Sequence, residues 1–413
     1  MDKLTHTEVI HLLLQLSAML VMGRFFAEVA RKFKQPSVVG EIFAGILLGP
    51  TILGTMSPDF FHSLFPHSGA PELVLDGFVQ VAVVLLLFIA GLEVDLQIVK
   101  QQGKQAAYTS LFSLAVPLAL GVGLVYMFPE VFGHADMNTR LVFALFLGTT
   151  MAITALPVIA RILMDLNVFK SQMGMLIIAS AMVNDILGWL IFSVVLSMMG
   201  TSDEGMGLAA TAGITIGFTL FMLSIGRGLI NQALPWINRK LAWPGGLLSL
   251  SLAFCFMAAA FTEYIGIHAI FGSFIFGVAL GDSEHLTERA KEIVHQFINN
   301  IFAPLFFVSI GLYVNFVESF NLPLVLAITA LAMTGKISGA FTGARLGGLP
   351  KWRALAVGFG MNTHGTLEVI LSAIALQEGF ISKEVFVAII SMVIITIVSS
   401  APLMRWSLRN QKE

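Results

Sequence analysis

Charge is the first thing this chain is short of. Asp, Glu, Lys and Arg make up 12% of its 413 residues, about half the share of an ordinary soluble domain. So few charges cannot cover a surface that faces water on all sides, and a mean hydropathy of +0.87 agrees. Cysteine is nearly absent. Cys255 stands alone inside an apolar run, which excludes an internal disulfide and CxxC metal or redox chemistry. A formal charge of −2 lacks the basic excess that nucleic-acid binding draws on, so no nucleic-acid partner is expected. The N-terminus, MDKLTHTEVIH, has neither the basic n-region nor the small-residue cleavage site of a signal peptide. HExxH and GxSxG are missing, and no two aspartates face each other on adjacent apolar runs. An intramembrane enzyme is therefore not expected.

What the chain does have is apolar runs of about 20 residues, each enough to cross roughly 30 Å of hydrocarbon. They predict an all-α polytopic membrane protein, since a β-barrel would show alternating segments of about ten residues. Thirteen spans are expected, at 8–30, 36–53, 73–94, 104–127, 139–165, 172–198, 208–231, 244–263, 265–281, 293–314, 322–344, 353–378 and 384–405. The break between the eighth and ninth rests on Glu263, Gly266 and His268. The segment 282–297, DSEHLTERAKEIVHQF, is amphipathic and predicts an interfacial helix. The tail after the last run is short, and no soluble regulatory domain is expected.

Cytoplasmic loops of membrane proteins carry an excess of Lys and Arg. With the N-terminus outside, Lys3, Arg140 and Lys383 fall on the outer side and Lys336 falls inside a span, while the remaining Lys and Arg reach the cytoplasmic side. Trp236, Trp243, Trp352 and Trp406 lie at that same edge, as interface anchors do. The expected topology is N-terminus outside, C-terminus in the cytoplasm, in a cell membrane.

Thirteen spans divide into two sixes around a connector: a first repeat over 1–206, a connector helix over 207–243 and a second repeat over 244–413. Equivalent spans then start seven helices apart, an odd number, so the halves are inverted. Inverted repeats are a common transporter design, with the site at mid-membrane where broken helices meet. Two interrupted spans hold equivalent places. Span 5 reads LGTTMAITALPVIARIL, with Thr149, Thr150 and Thr154 ahead of Pro157; proline removes a backbone donor and disrupts the helix one turn upstream. Span 12 reads VGFGMNTHGTLEVIL, with Asn362, Thr363, His364, Gly365 and Thr366 at half depth. Backbone freed at that depth is tolerated where protein buries it or where it lines an aqueous cavity.

Charges lie at the same depth. IIASAMVNDILGWLIF (177–192) sets Asn184 and Asp185 in the middle of its span, and LAMTGKISGAF sets Lys336 in the middle of another. An ionised group there costs about 2.5–3.5 kcal/mol on insertion scales, so such residues pair, meet water, or serve a function. A carboxylate with Asn184 and threonine oxygens nearby makes a hard-cation site. The same group can hold a proton, and competition between proton and cation is the core of an antiport cycle. An internal salt bridge that merely fixes packing is the bland alternative. Trp189, one turn from Asp185, either walls the site or packs. Glu368 is a candidate partner for Lys336, or a carboxylate satisfied by freed backbone donors. His364 is a candidate titrating group or a structural histidine. Glu41 and Glu93 lie towards cytoplasmic ends, where water reaches them.

Seven stretches occur in order along the chain: QPSVVGEIFAGILLGP (35–50), LLLFIAGLEVD (85–95), ITALPVIARIL (153–163), SAMVNDILGW (180–189), APLFFVSIGL (303–312), TGKISGA (334–340) and MNTHGTLEVIL (361–371). Together they resemble the cation:proton antiporter-2 family, which includes bacterial sodium/proton antiporters, Kef-type potassium efflux proteins and plant cation/proton exchangers. The resemblance implies a homodimer in the bilayer. Each protomer would have a core domain with two crossing discontinuous helices and a dimerisation domain, and the core would move like an elevator. It implies that Asp185 binds the ion and the proton, that Asn184 matches a position that is Asp in electrogenic members, and that Thr154 lies in a ligand-bearing region. Lys336 matches the lysine that pairs with the first aspartate where two are present; here Asn184 takes that place. Glu368, Asn362, His364 and Thr150 would surround the site.

The expected function is exchange of a monovalent cation, Na⁺ or K⁺, for H⁺ at Asp185, electroneutral and one for one, without any cofactor. A Kef-like potassium pathway with a separate regulatory subunit, and a non-transporting receptor on the same fold, are the alternatives. No GxGxxG follows residue 405, so nucleotide gating within this chain is not expected.

Overall fold

The computed structural model describes residues 4–33, 35–66, 69–134, 136, 138–166, 168–169, 171–199 and 208–410. Lys3 and the expected boundary at 206–207 lie outside them. The described residues are helical or irregular, with no strand. The main helices begin with α1 (His6–Lys32), α2 (Ser37–Leu48), α3 (Ala70–Leu92), α4 (Leu96–Met127), α5 (Arg140–Ala152) and α6 (Leu156–Asp165). They continue with α7 (Gln172–Met199), α8 (Leu208–Phe221), α9 (Arg227–Lys240), α10 (Gly245–Tyr264), α11 (Ala269–Gly281) and α12 (Glu288–Phe297). The last five are α13 (Ala303–Tyr313), α14 (Leu322–Leu346), α15 (Lys351–Met361), α16 (Thr366–Gln377) and α17 (Lys383–Arg409).

Polar caps set several of the starts. Thr5 and Glu8 form a reciprocal capping box at α1, and Asn321 and Ser382 accept from Leu324 N and Val385 N at the starts of α14 and α17. Each cap satisfies a backbone donor that would otherwise be orphaned in an apolar setting. Among the described residues, 10 helices are long and apolar enough to cross a membrane, and Arg140–Ala152, Ala269–Gly281 and Thr366–Gln377 are shorter apolar helices. The eighth and ninth runs are separate helices, α10 and α11, and Glu263 Oε2 accepts from Ala269 N at 2.6 Å where the second begins.

The segment 282–297 does not stand apart from the run that follows it. Thr287 caps α12 by accepting from Ala290 N, and α12 runs through a π-turn at Ile298–Phe302 straight into α13. Pro304, at the start of α13, lacks the N–H that an α-helix would need there, and a π-turn is one way to absorb that loss without ending the helix.

The helices cluster into two compact units that interleave in sequence. The first comprises Met1–Glu93, Thr219–Ile265 and Ala269–Ser319; the second comprises Val94–Phe218, Gly266–His268 and Phe320–Glu413. In the first, α2 packs on α1 and α13, and α3 on α11. A Cβ on Gly45 would lie 2.2 Å from the Val308 carbonyl oxygen, so α2 and α13 meet backbone to backbone. Such contacts hold helices by van der Waals packing where lipid removes the hydrophobic drive. In the second unit, α4 packs along α14 and against α5 and α7, and α15 and α16 pack on α17.

Candidate functional site

The second unit contains two helices that stop inside the apolar layer and resume after a short extended stretch. α5 ends at Ala152, and residues 153–155 are extended before α6 begins with Leu156 and Pro157. The proline cannot donate to the Ile153 carbonyl, and its ring clashes with it, which stops α5 there. α15 ends at Met361, and α16 begins at Thr366. That second break has no proline. Thr363 Oγ1 instead donates to the Gly360 carbonyl at 2.9 Å, a local bond that competes with the helical one.

The two breaks are stitched together. Ala155 N donates to the Thr363 carbonyl at 2.8 Å, and Thr154 Oγ1 donates to the Met361 carbonyl at 3.1 Å. His364 Nε2 is 3.2 Å from the Met151 carbonyl oxygen, and Lys336 Nζ donates to the Ala152 carbonyl. The last carbonyls of α5 thus receive His364 and Lys336. A helix C-terminus carries partial negative charge and favours a cation. At the other break, Glu368 Oε2 accepts from Gly365 N at 2.6 Å, placing a carboxylate at the positive N-terminal end of α16.

α7 lies along this crossing. A Cβ on Gly360 would be 3.2 Å from Ile177 Cδ1, and a Cβ on Gly188 would be 2.5 Å from Ile153 Cγ1. Between those contacts stand Asn184 and Asp185. Asp185 is 3% exposed, and Asn184 is fully buried and donates from Nδ2 to Ser113 Oγ at 2.8 Å, which orients its amide. Asp185 and Glu368 both act electrostatically on Lys336. The Asp185 carboxylate, the Asn184 amide and the Thr154 hydroxyl are hard oxygen donors within this one unit, and the field of Asp185 reaches Lys336.

Asn184, Asp185, Thr154, Lys336, Asn362, His364 and Glu368 therefore all belong to the second unit, on or beside the crossed breaks. Thr150 is buried but donates to its own helix, to Phe146 O at 2.9 Å. Trp189 packs edge-on against Phe192, with centroids 5.9 Å apart. Glu41 and Glu93 belong to the first unit, where Glu93 lies 3.9 Å from His295. Sequence reasoning passed over Ser113, although a serine four residues ahead of Pro117 in an apolar run was visible. It also did not foresee the Ala152 carbonyl as the acceptor for Lys336.

A family model described as "Sodium/hydrogen exchanger, transmembrane" matches residues 16–406. The chain is 34% identical over 387 residues to the Na⁺/H⁺ antiporter NhaS4 of Synechocystis, covering 93% of this chain and 92% of that protein. It is 30% identical to the K⁺/H⁺ antiporter 1 of Saccharomyces cerevisiae, over 90% of this chain and 43% of the yeast protein. The Arabidopsis cation/H⁺ antiporters 20 and 17 likewise match over 48% of their length, so the chain spans about half of these plant and yeast relatives. The sodium/proton antiporter MjNhaP1 of Methanocaldococcus jannaschii has the same fold: its structure superposes with a TM-score of 0.66 over 97% of each chain, at 18% identity.

Proposed function

The chain belongs to the transmembrane sodium/hydrogen exchanger family of cation/proton antiporters, and from that premise we propose that it trades one Na⁺ or K⁺ for one H⁺ at Asp185. The observation that carries the reading is the pair of interrupted helices, cross-bonded beside a buried Asn184–Asp185 pair.

An ionised carboxylate held away from water is costly. A bound proton or a bound monovalent cation neutralises it, and the empty anion is the state the site tolerates least. The site therefore changes sides while loaded, which makes exchange obligatory. With asparagine at 184, one exchanging carboxylate carries one proton one way and one cation the other. No net charge moves. The second unit, which holds these residues, serves in this reading as the elevator body, and the first as the scaffold of a homodimer in a cell membrane.

Thirteen crossings are consistent with the helices: the ten long ones, α11 as a short crossing, and α5–α6 and α15–α16 as two broken ones. Each compact unit then draws three spans from each inverted repeat. An N-terminus outside, as the Lys and Arg distribution favours, belongs to this reading.

Proton flux in proteoliposomes, on separate additions of Na⁺, K⁺ and Li⁺, tests the reading. Cation-dependent proton movement is expected in the wild type and is abolished in Asp185→Asn. A steady transport current would overturn one-for-one exchange. Cation flux outrunning proton counterflow would favour a Kef-like pathway instead.

A further inference from the structure

Several polar groups of the span-twelve break have visible tasks; His364 Nδ1 and Glu368 Oε1 are buried without a partner among the described residues, but each of those side chains bonds through its other polar atom. Gly360 and Met361 offer carbonyls to Thr363 and Thr154, Thr363 offers its carbonyl to Ala155, and Gly365 N meets Glu368. The Asn362 side chain has none. It is fully buried, and neither its Oδ1 nor its Nδ2 has a hydrogen-bond partner among the described residues. A buried polar group without a partner costs about 1–3 kcal/mol. Alanine or leucine would avoid that cost at no loss to the crossing, because backbone atoms on both sides of Asn362 do the stitching. Ser180 Oγ, fully buried on α7, is in the same condition. Ser180 lies within one turn of Ile177, the residue that meets Gly360.

We propose that the Asn362 side-chain carbonyl is a direct ligand of the transported cation and helps to set which cation is preferred. The proposal rests on the antiporter reading above and extends its ligand set from α7 to the second broken helix. An amide oxygen suits this task. It is a hard donor without charge, so it binds a partly dehydrated monovalent ion without adding a second carboxylate that would upset one-for-one exchange. The Nδ2 donates to a water or to a protonated carboxyl in the proton-loaded state. One polar atom of the same side chain thereby gains a partner in each loaded state.

The test is a concentration series of Na⁺, K⁺ and Li⁺ in proteoliposomes with wild type, Asn362→Ala and Asn362→Gln. Asn362→Ala is expected to raise the KM for the preferred cation about tenfold or more, with a smaller change in maximal rate, as removal of a ground-state ligand does. Asn362→Gln keeps the amide but moves its oxygen by one methylene, and it is expected to change the ratio of the Na⁺ and K⁺ KM values about threefold or more. A cation-induced rise in thermal midpoint in detergent should be reduced in both variants. Wild-type KM values and ratios in both variants would overturn the proposal. If Asn362→Ala fails to fold, the Asn362→Gln ratio decides. A wild type that moves no protons with any cation would overturn the antiporter reading itself, a result distinct from wild-type transport with unaltered variants.

Discussion

Lys336 donates to the carbonyl of Ala152, the last residue of a short apolar helix. A buried lysine is usually assumed to need a carboxylate. Here a helix C-terminus supplies both a free acceptor and partial negative charge, and Asp185 and Glu368 add their electrostatic attraction. The bond to Ala152 fastens α14 to the first broken helix.

Lys336→Met removes that donor and leaves the Ala152 carbonyl buried. A loss of about 1–3 kcal/mol in stability is expected, read as a lower thermal midpoint in detergent. Lys336→Gln retains N–H donors and should lose less. Equal midpoints for wild type and Lys336→Met would show that the bond does not hold the crossing.

Gly188 tests how closely the Asp185 helix must approach the first break. Any Cβ there comes 2.5 Å from Ile153 Cγ1, so Gly188→Val should cost about 1–3 kcal/mol by overpacking and depress cation-driven proton flux. Adding Ile153→Ala opens the space and should restore most of the flux. Losses that simply add in the double variant would rule the contact out as the cause.

Glu368 caps α16 through Gly365 N. Glu368→Gln keeps an acceptor oxygen and should melt close to wild type. Glu368→Ala should lose about 0.5–2 kcal/mol, the usual worth of such a cap. If both variants melt alike, the carboxylate's charge rather than its hydrogen bond stabilises the break.

A pH effect is expected in the loop ahead of α5. The His134 ring stacks on Phe143 at 4.3 Å and lies 2.9 Å from Thr139 Oγ1, which donates to Asp136. Burial holds His134 below its ordinary value, partly offset by Asp136; the Asn138 N–H and then Thr139 hold Asp136 below its own. The unfolded chain therefore takes up the histidine proton first as pH falls. Stability conferred by His134 is intact above about pH 6.5 and is lost as pH drops from there through the folded value. His134→Phe keeps the stack and should show a smaller fall in thermal midpoint between pH 7 and 5. A parallel fall in both proteins would assign the effect elsewhere.

Much of this was legible in the sequence because membrane insertion leaves few options. Apolar runs separated by basic or turn-forming residues announce crossing helices. Pro157 and the stretch Asn362–Gly365 announced both interruptions, since each removes or diverts helical backbone bonds. Asn184, Asp185 and Lys336 stood out because a polar residue at that depth is costly enough to need a reason. The continuity of 288–297 with the next helix was not legible, because an amphipathic face says nothing about whether a helix stops, and a π-turn lets this one continue past Pro304.

By itself the sequence determined the all-helical membrane class, the two places where helices break and the buried residues worth testing. These follow from local chemistry: hydropathy, proline and the cost of charge in hydrocarbon. The tertiary structure decided which groups satisfy one another. Lys336 goes to a backbone carbonyl, Asn184 to Ser113 and Glu368 to the start of its own helix, while Asn362 is left without a task. Those pairings join residues from well over a hundred positions apart to a few, and they depend on how helices cross in space, which no local pattern encodes.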